Sequence, residues 1–285
     1  MAPQKHYKSL KKVIFLGFLA LIFGLASPAL QAAEKVRLME RWLMNDALSE
    51  RIVDHSSWQE ILDSYIIKTP SGTLFDFAAV TKADIIKLDR YLTALSRTDV
   101  DRLNTAQQKA FWINAFNALS IRVVLSEYPV SSINDIGGGF FSSGPWDEKS
   151  FRVYLIDLSL NDIYHRILRP IWQDNRVHYA LSCAAKGCPN LADKAFSAET
   201  LDRDLDTTAG DFINNSKGIL QVNGNSIRLS RLYDWYRDDF GKTEAGVIQH
   251  LKSFADTKTS AKLEGITQIN GHAFDWSLND REKGR

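Results

Sequence analysis

The run from Ala110 to Leu125 (AFWINAFNALSIRVVL) is almost unbroken in its hydrophobicity, and it decides what the rest of the chain must do. A helix that is apolar on most sides cannot lie on a surface, so other elements must wrap it. Thr105 and Gln108 stand just ahead of it with capping-box spacing, which places its start there. Asn114 and Asn117 sit one turn apart on this helix, with Ile121 continuing their face. Burying their amides unpaired would cost roughly a few kcal/mol. Each is therefore expected to bond a backbone segment such as the Gly137 to Gly139 loop, a water, or a ligand in a lined pocket.

Helical spacing appears twice before this point. Trp58, Ile61, Leu62 and Tyr65 follow Ser56 and Ser57, either of which can cap them, and Ile85, Leu88, Leu92 and Leu95 follow Thr81 and Asp84, a second capping box. The pattern then changes. Gly137-Gly138-Gly139-Phe140-Phe141 reads as a flexible loop, and Phe151 to Leu155 alternates like a strand. Ser159 and Asp162 open a short helix carrying His165, which Pro170 should stop. Val177, Tyr179, Leu181 and Cys183 alternate with His178, Ala180 and Ser182, a strand pattern. Asn223-Gly224, between Leu220 to Val222 and Ile227 to Leu229, predicts a hairpin. Helices early and strands later make an α+β fold, the helical N-terminal part packed on a mostly antiparallel sheet with hairpins.

The N-terminus bears on location. Lys5, Lys8, Lys11 and Lys12 precede an uncharged run from Val13 to Ala26, and Ser27, Pro28 and Ala29 then break the pattern ahead of the small residues Ala32 and Ala33. This reads as a secretory signal peptide over 1–33, leaving 34–285 as a single globular domain in the periplasm or medium. The run is too short to span a bilayer, so no stable membrane span is expected after cleavage. The competing reading is an uncleaved anchor, because Leu30 or Gln31 would occupy a position that prefers small residues. Without the four lysines, 31 basic residues face 34 acidic ones, a net charge of −3 that gives nucleic acid nothing to bind. No linker, repeat or low-complexity tract divides the remainder.

Several motifs carry a resemblance. Ile113 to Leu119 (INAFNAL), Arg176 to Cys183 (RVHYALSC), Gly187-Cys188-Pro189 and Asp275 to Asn279 (DWSLN) resemble, in this order, the family called domain of unknown function 547, in its exported bacterial form. The segment from Leu229 to Gly241, with Trp235, Tyr236, Asp239 and Phe240, fits the same pattern, and the likeness extends over about 57–279. It implies a common fold and a shared site, without an established reaction. One departure stands out: Tyr164 precedes His165 where the family pattern has glutamate.

Two functional readings follow. In the first, Cys183 and Cys188, the only cysteines, form a disulfide across a short loop in an oxidising compartment. It rigidifies a non-catalytic binding module whose polar cleft is made by Asn114, Asn117, Arg176 and His178. The ligand would be a small molecule, a peptide or an envelope component. In the second, Cys183 is the nucleophile of a hydrolase or acyl-transferase, with His178 or His165 as its base. The order of buried helix and histidine-bearing strand is loosely transglutaminase-like or papain-like, with Asn114 near where such a cysteine would stand. His178 and Cys183 fall on opposite faces of a regular strand, so they could meet only if the strand ended first. A zinc site is disfavoured, since the four-residue gap is at the edge of ligand spacing, and no cofactor is implied. The glycine triplet lacks the Lys-Ser/Thr of a phosphate loop, and Asn214-Asn215-Ser216 matters only in a host that glycosylates it. Trp235, Tyr236, Phe240 and Trp276 read as core rather than a sugar platform.

Overall fold

The apolar stripe Trp58, Ile61, Leu62 and Tyr65 lies along one side of helix α1 (Ser56–Tyr65), and all four residues are buried. This computed structural model describes residues 37–137 and 144–281; the expected leader lies outside them, as does the glycine loop from Gly138 to Phe141. Neither Ser56 nor Ser57 caps α1 with its side chain. Asp54 does this work instead, its Oδ1 accepting from the Ser56 N–H at 2.8 Å. A hairpin of β1 (Ile66–Thr69) and β2 (Gly72–Phe75) follows. Helix α2 (Lys82–Ser96) opens on the predicted box: Thr81 Oγ1 accepts from the Asp84 N–H at 3.1 Å and donates to the Asp84 carboxylate at 2.6 Å.

The apolar run forms α3 (Thr105–Glu127), buried at every position from Gln107 to Ile121. Its cap is Asn104, one residue ahead of the expected Thr105, with Oδ1 accepting from the Gln107 N–H at 2.9 Å. Asparagine is as good a cap as threonine or better, and Gln108 is drawn away to donate to the carbonyls of Met44 and Val100.

β3 (Phe151–Val153) and β4 (Ile156–Leu158) pair across a two-residue turn, with Tyr154 at φ +48° and Leu155 at φ +62°. The strand expected to reach Leu155 thus ends at Val153. Next comes a π-helical segment, Asp162–Leu168, that runs directly into α4 (Arg169–Trp172). Pro170 does not stop this helix. It falls at the junction where the wider ladder gives way to α4, a position where a missing N–H costs little, and the helix ends instead at Gln173 in the left-handed region.

The expected strand over Val177 to Cys183 is instead a helical turn, α5 (Val177–Ala180), followed by extended chain. Residues 177–182 are all buried, so their alternation of residue types marks no solvent face and carries no period. Helix α6 (Leu201–Ile213) leads to β5 (Ile219–Asn223) and β6 (Ser226–Ser230), the predicted hairpin, with Gly224 at φ +58° in its turn. After α7 (Leu232–Trp235), α8 (Glu244–Phe254) and α9 (Thr257–Leu263), β7 (Gln268–Ala273) returns parallel to β6. The fold is α+β, with the strands of the described residues divided among three small sheets whose pairs are antiparallel except for β6 with β7.

Two hydrophobic clusters hold it together. One surrounds α3 with α1, α2 and the π segment, and the other lies under the β5-β6-β7 sheet against α6, α8 and α9. Turn α5 joins them, since Val177, Ala180 and Leu181 belong to the first and Tyr179 to the second. Among the described residues no helix is long and apolar enough to cross a membrane.

Candidate functional site

His178 sits on the turn that joins the two clusters, with 1% of its surface exposed, and both ring nitrogens are engaged. Nε2 lies 2.7 Å from Asp239 Oδ2, and Nδ1 lies 2.5 Å from the Tyr164 hydroxyl. Burial alone would raise Asp239, but hydrogen bonds from His178 and Arg169 outweigh it and hold the carboxyl well below the usual range. An ionised carboxylate only accepts, so Nε2 carries the proton and Nδ1 accepts from Tyr164. Burial pushes His178 below its ordinary value, so the imidazole is neutral. Burial likewise lifts the Tyr164 hydroxyl well above its ordinary value, which keeps its proton in place.

The surrounding groups fix this relay. Arg169 Nε donates to the same Asp239 Oδ2 at 2.7 Å, and its guanidinium lies over Tyr236, 4.7 Å from the ring centre. Tyr236 stacks on His178 at 4.4 Å, and His165 stacks on Tyr164 at the same separation. Burial, with the nearby positive charge of Arg169, pushes His165 down to about 3. The π segment carries Tyr164 and His165 side by side into one space, and such widened turns recur at functional sites.

That space is a cavity of about 320 Å³, walled by Tyr164, His165, His178 and Tyr236, by Cys183 and Cys188, and by Trp146, Trp235, Phe274 and Trp276. The two cysteines stand at disulfide distance with Cα atoms 5.8 Å apart, and neither sulfur is free. A larger polar groove of about 930 Å³ runs beside the β1–β2 hairpin and α6, but no histidine or cysteine among the described residues lines it. The aromatic cavity is therefore the better candidate.

Of the residues expected around a polar cleft, His178 alone lines this cavity. Asn114 clamps Phe196, donating to its carbonyl at 2.8 Å and accepting its N–H at 3.0 Å. Asn117 donates to the Ala180 carbonyl at 2.9 Å and accepts from the Ser182 N–H at 2.8 Å. Both asparagines thus hold backbone, and the segments they hold are not the Gly137 to Gly139 loop. The Arg176 guanidinium is shared among Asp174, Asp202 and Asp206 at 2.8 to 2.9 Å. The cavity does bring together His178, His165 and Cys183.

Sequence reasoning passed over Asp239, Arg169 and the role of Tyr164. Asp239 is 61 positions from its histidine, and its only signal was its place in the aromatic segment from Trp235 to Phe240. Tyr164 was visible as the departure from the family glutamate; its hydroxyl supplies a hydrogen bond to His178 without adding a second carboxylate. The expectation that the aromatics are core holds for Phe240, 1% exposed, but not for Trp235, which is 39% exposed on the cavity wall. No group of three or more histidine, cysteine or acidic side chains among the described residues could hold a metal.

An α+β domain whose aromatic cavity is floored by a Tyr-His-Asp relay and flanked by paired cysteines fits the order of motifs noted in the sequence. Residues 100–213 match the model of the family described as "Protein of unknown function, DUF547", and the chain carries a domain of that family. No curated protein and no solved structure matches it.

Proposed function

We propose that this chain is an exported binding module that seats a small molecule, a peptide end or an envelope component in the aromatic cavity above His178. The observation that carries the reading is the occupancy of the histidine. With Nδ1 taken by Tyr164 and Nε2 by Asp239, no lone pair is left to activate a thiol, and Cys183 stands at disulfide distance from Cys188. Asn117 contributes indirectly by fixing the backbone next to Leu181, one of the cavity walls. Export is supported by the basic N-terminal segment with its uncharged run, and by a cysteine pair suited to an oxidising compartment.

The competing reading, a hydrolase or acyl-transferase using Cys183 with His178 or His165, draws on one fact: all three residues line the same cavity. A thiol count on the purified native protein separates the two. The binding module shows no thiol reactive toward Ellman's reagent until it is reduced, and no turnover of p-nitrophenyl acetate. A fast-reacting Cys183, with turnover abolished by Cys183→Ala at unchanged stability, would replace it with the catalytic reading.

A further inference from the structure

The chemistry of the cavity walls narrows what they can hold. Trp146 crosses Trp276 at 63° with ring centres 6.2 Å apart, and Trp235 crosses Trp276 at 40° and 5.7 Å. Phe274 lies 4.6 Å from Trp276 and 5.0 Å from Trp235, inclined at 54° and 52°. None of these rings stacks flat on another, and all four line the cavity. Each face carries the negative side of a ring quadrupole and attracts weakly positive C–H groups. The Trp146 N–H is used, donating to Asn134 Oδ1 at 3.0 Å, whereas those of Trp235 and Trp276 make no hydrogen bond among the described residues.

Charge narrows the ligand further. No lysine or arginine among the described residues lines the cavity, so an anion finds no counter-charge on its walls. A cation would be drawn to the aromatic faces, but two of them already hold guanidinium groups: Arg169 over Tyr236 and Arg231 over Trp235, at 4.7 and 5.9 Å. The histidines in the wall are neutral through burial. The remaining charged wall residue is Asp147, exposed at the rim and held by Asn161 Nδ2 at 2.8 Å. This locked pair offers the other Asp147 oxygen and the Asn161 carbonyl as planar acceptors.

Aromatic walls and planar acceptors, in a cavity two of whose rings already carry guanidinium groups, suit an uncharged ring with an apolar C–H face and a rim of hydroxyls. We infer that the cavity between Trp146, Trp235, Trp276 and the Asp147–Asn161 pair binds a neutral pyranose unit of a saccharide. The inference rests on the binding-module reading and names its ligand. At about 320 Å³ the cavity is at the small end of ligand sites, so one sugar residue enters and attached residues lie outside.

Tryptophan emission of the purified exported chain, titrated with N,N′-diacetylchitobiose, cellobiose and maltose beside choline chloride and sodium acetate, tests it. At least one saccharide should give a saturable change, weakened tenfold or more by Trp235→Ala at an unchanged melting temperature. Asp147→Ala, at an exposed rim position, should weaken the same saccharide severalfold and supplies the comparison if the tryptophan variant does not fold. A saturable response to choline or acetate and to no saccharide would overturn the ligand class while leaving a binding site. No response to any probe from a folded protein would overturn the saccharide, and thiol-dependent ester turnover would overturn the binding reading beneath it.

Discussion

Replacing Asn117 by alanine should be among the most destabilising single changes in this protein. Its amide satisfies two backbone groups, the Ala180 carbonyl and the Ser182 N–H, both in a fully buried stretch. The smaller residue leaves both unpaired and places nothing polar in reach. Orphaning a buried donor or acceptor costs about 1–3 kcal/mol, so the pair amounts to about 2–6 kcal/mol, with about 3 expected after local relaxation. For a domain of this size that is a fall in melting temperature of roughly 6–12 °C, at about 2–4 °C per kcal/mol. Thermal melts followed by circular dichroism read it directly. Asn117→Asp sharpens the test: it keeps an acceptor for Ser182 but turns an oxygen toward the Ala180 carbonyl, so it should rescue little. Asn114→Ala should cost a similar amount through Phe196, yet spare the cavity, because Phe196 is not among its walls. An Asn117→Ala variant melting within about 1 °C of the parent, where about 3 kcal/mol of loss is expected, would refute the clamp.

Three further outcomes are expected. Burial pushes His165 down to about 3 and His55 and His250 to about 4, against about 6.5 in an unfolded chain. The unfolded state therefore takes up protons first. The stabilisation from these neutral rings is complete above about pH 6.5 and declines toward pH 4, by up to about 1.4 kcal/mol per pH unit for each histidine; urea midpoints that stay flat over that window would contradict it. Converting Cys183 and Cys188 together to serine should cost about 2 kcal/mol or less, given so short a loop, seen as a melting shift of a few degrees; an unchanged melting temperature would contradict it. Thr81→Ala should remove the α2 cap at about 1 kcal/mol, seen as a melting shift of a few degrees, whereas Thr81→Ser should be near neutral.

What could be read from the sequence was local chemistry with a periodic partner. The Thr81–Asp84 box, the Asn223-Gly224 hairpin and the buried α3 each announce themselves within a dozen residues, and each is where it was expected. The turn at Val177 was misread because a segment enclosed on every side has no polar face to set a period. The same holds for the junction at Pro170, where a π ladder changes the positions a proline can occupy. The site was legible as a set of residue types and not as an arrangement. His178, His165 and the cysteines were singled out, but Asp239 and Arg169 reach the histidine from 61 and nine positions away through tertiary packing alone. The two asparagines were recognised as buried amides in need of partners. Which backbone they would bind, 63 to 82 positions distant, lay beyond any local pattern.

The segment that follows β7 has a consequence for how the molecule is made. Its backbone is tied back across the chain: Leu278 N–H to Ser131, Asn279 N–H to Ala184, and Asn279 C=O to the Phe75 N–H, all at 2.8 to 3.0 Å. The Asn279 amide reaches Thr73, 206 positions earlier, and Asp280 accepts from Phe77 N–H and the Tyr128 hydroxyl. β2 therefore waits for its last partner until a segment 206 positions further along has been synthesised. Closing so long a loop is slow compared with forming local helices, so the nascent chain lingers with helices formed and its ends unjoined. Such a polypeptide becomes resistant to proteases only once the 278–280 strap has been made and locked.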